Sequence, residues 1–102
     1  MLIPMAIDLY ALADSVSDEK SFLQFLAALA ADWEEEQALE KSTPSSPYSS
    51  GALGWENGTV GTVLDAAASW GSASIEGLAH YEKPQNPWRR AAHIIHAGKF
   101  YE

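Results

Sequence analysis

A chain of 102 residues is long enough for a single domain whose core needs neither a metal nor a disulfide to hold it. It has no cysteine, which excludes thiol catalysis, thiolate metal sites and disulfide staples and agrees with a reducing compartment, so the cytoplasm is the expected location. Fourteen acidic side chains against six basic ones leave a formal charge of −8, a field that repels phosphate backbones and anionic membranes and attracts cationic partners. No nucleic-acid partner is expected. Nor is a membrane partner, because no apolar run approaches the roughly 20 residues of a spanning helix and the start lacks a secretory signal pattern.

Near the start, IPMAIDLYALADSV carries Ile7, Tyr10, Ala11 and Asp14 at helical spacing and predicts a short helix. From Ser17 onward the pattern is clearer. Ser17 can serve as N-cap, Asp18 and Glu19 occupy the first turn where the helix dipole favours acids, and no Gly or Pro interrupts until Pro44. Phe22, Phe25, Leu26, Leu29 and Trp33 recur on one stripe about 80° wide, which must face a core.

Beyond Trp33 that stripe is taken over by Glu36, Gln37 and Glu40, so the helix is expected to overshoot the core and present Glu34, Glu35, Glu36 and Glu40 to solvent or to a partner. A charge run on a helix is usually a solvated face; its continuation of the core stripe is what favours docking to a basic surface. Residues 41–58 then change to KSTPSSPYSSGALGWENG, a loop about three times the usual connection length and expected to be mobile or functional. Within it Trp55, followed by Glu56, is read either as a hydrophobic staple on the next helix or as an exposed anchor for a partner.

Asn57 offers a cap for TVGTVLDAAASW, in which Val60, Val63, Leu64 and Ala67 form a second apolar stripe with Trp70 at its margin; Gly61 weakens the first turn. After the irregular GSASIEGLAHYEKPQN comes a terminal helix with Asn86 as N-cap, Pro87 at its first position and Gly98 just past its end. The whole is predicted to be one all-α domain, 1–102, of three or four helices around the long serine- and proline-rich loop. Trp33, Trp70 and Trp88, each on or beside an apolar stripe, are expected to meet in one aromatic core.

HIIH, with His93 and His96 one turn apart, poses the one question of chemistry. On the terminal helix Trp88, Ala91, Ala92 and Ile95 define the buried face, and Arg89, His93 and His96 fall on a flanking stripe expected to be at most half buried. A zinc site needs further ligands that nothing in the sequence brings near, i,i+4 is the better-attested helical pair, and Arg89 would repel a cation there. No metal and no other cofactor is therefore expected. Nor does any acid–base constellation converge, so the chain is read as a non-enzyme, with a metal-dependent enzyme built on His93 and His96 as the weaker alternative.

DEKSFLQFLAALAADW, WENGTVGTVLDAAASW and PQNPWRRAAHIIHAGKFYE together resemble a family of small, acidic, uncharacterised bacterial domains. The marks are Phe22, Leu23, Phe25 and Leu26 in the first long helix, Trp55-Glu56-Asn57, Trp70, Pro87-Trp88, and Tyr101-Glu102 after Ala97-Gly98, covering residues 18–102. Gly61 and Val63 depart from the bulkier residues of that pattern. The resemblance carries no activity; small domains of this kind often neighbour toxin systems, which implies a binding role such as that of an immunity protein or inhibitor of a basic toxin or enzyme. A self-associating homodimer without another partner is the alternative.

Overall fold

A computed structural model describes residues 8–46 and 51–102. The fold is all-α, built from α1 (Leu9–Asp14), α2 (Glu19–Ser42), α3 (Val60–Ala73) and α4 (Pro87–Phe100). Among the described residues no strand forms, and a lone bridge between Leu78 and Tyr81 is the extent of β pairing.

Each helix starts where a side chain can take up its orphan N–H groups. Asp8 caps α1 by accepting from the Ala11 N–H; Ile7, at the start of the expected pattern, lies outside the described residues. For α2 the cap is Asp18, one residue after the expected Ser17, because Ser21 completes a capping box: its N–H donates to the Asp18 carboxylate at 2.8 Å and its Oγ accepts the Asp18 N–H at 3.1 Å. Thr59 and Thr62 form the equivalent box at α3, which displaces the expected Asn57. Asn86 caps α4 as its sequence predicts, accepting from Trp88 and Arg89, while its own Nδ2 donates to the Ser17 carbonyl at 2.9 Å and ties this helix start to the α1–α2 joint.

α4 is the hub. It packs against α1, α2 and α3, whereas α3 makes no close backbone approach to α1 or α2. The α2 stripe behaves as its spacing predicts: Phe25 and Leu29 are buried, and Phe22, Leu26 and Trp33 half-buried. Phe22, Phe25, Leu29 and Trp33 pack with Leu9, Ala13 and Val16 of the α1 segment, Ala92 of α4 and Trp55. Complete burial of a side chain such as Phe25 contributes about 2–3 kcal/mol.

Three expectations about helix faces are corrected. Of the expected α3 stripe Ala67 is buried and Val63 half-buried, but Val60 and Leu64 are 78% and 56% exposed; the buried face is Ala66 and Ala67, because α4 covers that side and, among the described residues, no helix covers the other. α4 continues past Gly98 to Phe100, and Gly98 is no terminator but a point of close approach: a Cβ there would lie 2.8 Å from the Val63 carbonyl oxygen. The tryptophans do not share one core. Trp33 packs edge-on to Trp55, Trp88 against Phe22 and Trp70 against Tyr81, three separate pairs spread along the hub helix.

Candidate functional site

The acidic end of α2 divides into two halves with different jobs. Glu34 and Glu35 are exposed, as the charge run predicts. Glu36, expected on the surface, is only 3% exposed: its Oε1 accepts the backbone N–H groups of Leu53 at 3.0 Å and Trp55 at 3.2 Å. A buried carboxylate is tolerable when backbone donors replace its water. Glu40 is likewise turned inward along the loop, accepting from the Ser45 hydroxyl and backbone N–H and from Ala52 N–H. The Ser45 hydroxyl and then its backbone donor hold the Glu40 carboxyl below its ordinary pKa. The polar continuation of the core stripe thus fastens the loop flanks to α2. Residues 41 and 42 belong to α2 itself, and 47–50, the centre of the expected mobile loop, lie outside the described residues.

Trp55 is not an exposed anchor. It is 8% exposed, with its ring edge-on to Trp33 and its Nε1–H donating to Asp32 Oδ2 at 2.9 Å. Lys99 of α4 donates to the same oxygen at 2.7 Å and stands 5.6 Å from the Trp55 ring centroid, so one carboxylate links α2, the loop and α4. The next two residues close the end of α4: Glu56 and Asn57 donate their backbone N–H groups to the Lys99 carbonyl, and Asn57 Nδ2 donates to the carbonyls of Gly98 and Tyr101. The Glu56 side chain is exposed.

These ties leave a groove where α2 and α3 fail to meet. It encloses about 280 Å³; Trp33 and Trp55 line it from the α2 side, Val60, Val63 and Leu64 from α3, and Asn57 to Thr59 run along it. Its walls are predominantly apolar.

His93 and His96 are oriented differently from the flanking surface stripe their spacing predicts. His96 is 5% exposed and packed among the rings of Tyr10, Phe25 and Phe100; burial, then the charge of Lys99, pushes its pKa down to about 4. His93 lies between Asp14 of α1 and Tyr81. Burial lowers its pKa, and the neighbouring Asp14 charge works in the opposite direction. An ionised Asp14 can only accept, so the neutral imidazole carries its proton on Nε2, directed to Asp14 at 3.2 Å. Its Nδ1 then accepts from the Tyr81 hydroxyl at 2.8 Å.

Arg90 continues this chain, donating to the Tyr81 hydroxyl at 3.3 Å, to Ser74 Oγ at 2.9 Å and to the Gly71 carbonyl at 2.9 Å, with its guanidinium against the Trp70 and Tyr81 rings. Tyr81 reaches this position because Leu78 and Tyr81 exchange backbone hydrogen bonds across a tight turn, which the chain enters from Gly77, at positive φ (+85°) where it closes the preceding turn on the Ser74 carbonyl. The sequence offers no spacing signal for a contact between residues 14, 81 and 93, which is why the chain escapes a reading by periodicity. Among the described residues no group of three His, Cys, Asp or Glu side chains is placed to hold a metal, and no helix is long and apolar enough to cross a membrane.

Comparisons of the chain with protein-family models, with curated proteins and with solved structures return no match.

Proposed function

We propose that this protein is a non-enzymatic protein-binding module, of the immunity-protein or inhibitor kind, that receives apolar side chains of a basic partner in the groove between α2 and α3. The observation that carries this reading is the pairing of a tryptophan-lined groove with two large aliphatic side chains, Val60 and Leu64, left exposed on the adjoining face of α3. Exposed apolar groups grouped beside a recess are where anchors from a partner lose water most completely. Glu34, Glu35 and Glu56 remain exposed on the α2 and loop elements and, with the net charge of −8, favour a cationic partner. Glu36, Glu40 and Trp55 support this surface from beneath, as the fasteners of the loop.

A symmetric homodimer through the same groove is the second reading, because it too would cover Val60 and Leu64. Two copies each carrying −8 repel one another, which places it behind a basic partner.

Titration with an amphipathic helical peptide of lysine and leucine tests the proposal. Saturable binding that weakens about tenfold in Leu64→Glu, with an association rate that falls on adding salt and on Glu34→Lys with Glu35→Lys, is the expected result. Binding indifferent to Leu64→Glu overturns the groove, and a dimer persisting at low micromolar concentration in sedimentation transfers the surface to self-association.

A further inference from the structure

A second cavity, of about 500 Å³, opens between α1, the end of α3 and α4. It shares no lining residue with the α2–α3 groove. Its volume lies within the range of small-molecule sites. The walls are rings: Tyr10, Trp70, Tyr81 and Phe100, with the two imidazoles of α4. Tyr10 is 64% exposed at this site, although its ring already packs on His96 and Phe100.

The polar groups on the wall narrow what could enter. His93 spends its Nε2–H on Asp14 and its Nδ1 on the Tyr81 hydroxyl, and the Tyr81 oxygen also accepts from Arg90. Their hydrogen-bonding capacity is thus largely used within the protein. Asp14 differs: its side chain is 75% exposed and His93 engages Oδ1, which leaves acceptor capacity on a carboxylate at the cavity wall. An entering molecule must bring a donor to it. An anion would meet the Asp14 charge, whereas a full cation would be opposed by the Arg90 guanidinium, which stands against the Trp70 and Tyr81 rings of the wall. A flat ring suits the aromatic walls, since edge and face contacts between rings are favourable beyond the area they bury.

We infer that this cavity is a binding site for a neutral aromatic molecule bearing an O–H or N–H donor, of the phenol or indole class, with the ring among Tyr10, Trp70 and Phe100 and the donor on Asp14. The site is independent of the partner groove, so the protein can carry a small ligand and a protein partner on separate surfaces.

Titrating phenol into nitrogen-15-labelled protein, followed by nuclear magnetic resonance, tests the site. Saturable shifts are expected at the Trp70 side-chain N–H and at Ala11, Asp14 and Ala97, with weaker binding of toluene, which lacks the donor, and of benzoate, which is charged. Asp14→Ala should weaken phenol about tenfold while leaving toluene unchanged. Ala11 is exposed, so Ala11→Trp can obstruct the cavity without disturbing the core and should abolish binding at unchanged thermal stability. Leu64→Glu should leave phenol affinity as it is, which separates this site from the groove. Absence of saturable shifts, shifts centred on Trp33 and Trp55, or equal binding of toluene and phenol would each overturn the inference.

Discussion

Glu36 holds Trp55 by its backbone: Oε1 accepts the Trp55 N–H at 3.2 Å across a sequence separation of 19 residues. The same oxygen takes the Leu53 N–H, so a single carboxylate replaces the water that two backbone donors in the loop would otherwise bind. Glu36→Ala should therefore destabilise the protein by about 2–4 kcal/mol in urea unfolding, since it leaves those donors unpaired in a dry place. Glu35→Ala, one residue away and exposed, should stay within about 0.5 kcal/mol. Similar effects from the two substitutions would show that the carboxylate does not hold the loop.

Two glycines on helices should respond to alanine with opposite signs. Gly61 has open space around it in the first turn of α3, and Gly61→Ala should stabilise by about 0.4–1 kcal/mol by restricting the unfolded chain. At Gly98 the new methyl would press on the Val63 carbonyl at 2.8 Å, forcing α3 and α4 apart. That overpacking should cost about 1–3 kcal/mol despite the gain in helix propensity. Thermal unfolding of the two variants checks the pair, and a stabilised Gly98→Ala would refute the close approach.

Stability should fall on acidification before the carboxylates titrate. The pKa of His96 is about 4 in the folded protein against 6.5 in the unfolded chain, so the unfolded state binds the proton first. The contribution is fully present above pH 6.5, declines as the pH drops toward 4 and is lost below it, an effect on the order of 3 kcal/mol. His93, also lowered, acts in the same direction. Unfolding free energies measured between pH 7 and pH 4 should show this slope, and His96→Leu should flatten it.

Tyr81→Phe keeps the ring against Trp70 but removes the hydroxyl between His93 and Arg90. A cost of about 1–2 kcal/mol is expected, with faster amide exchange in the 75–85 segment that Tyr81 anchors. Unaltered exchange there would mean that the segment is held by its backbone contacts alone.

Helix positions were legible in the sequence because caps and apolar periodicity are local. Asn86, Pro87 and the stripe from Phe22 to Trp33 act as their spacing implies, each decided by neighbours within a few residues. Side-chain polarity proved a poor guide where the chain could supply distant partners. Glu34, Glu35, Glu36 and Glu40 are expected to face solvent or a partner, yet Glu36 is buried because the backbone of residues 53–55 returns to it. His93 was equally opaque: its partners Asp14 and Tyr81 are 79 and 12 residues away, joined only when α1 and the 75–85 loop settle on α4.

By itself the sequence determined the all-α class and three or four helix-forming segments, with the starts of α2 and α3 placed one and two residues early, since a 3.6-residue period operates within a turn or two of chain. The tertiary structure decided which faces those helices bury. With α4 as hub, Gly98 admits α3 so closely that Ala66 and Ala67 go inward and Val60 and Leu64 stay out. The groove and the aromatic cavity are the spaces beside that hub, between elements it holds apart; no local rule encodes them because a gap belongs to a packing arrangement and not to any one segment.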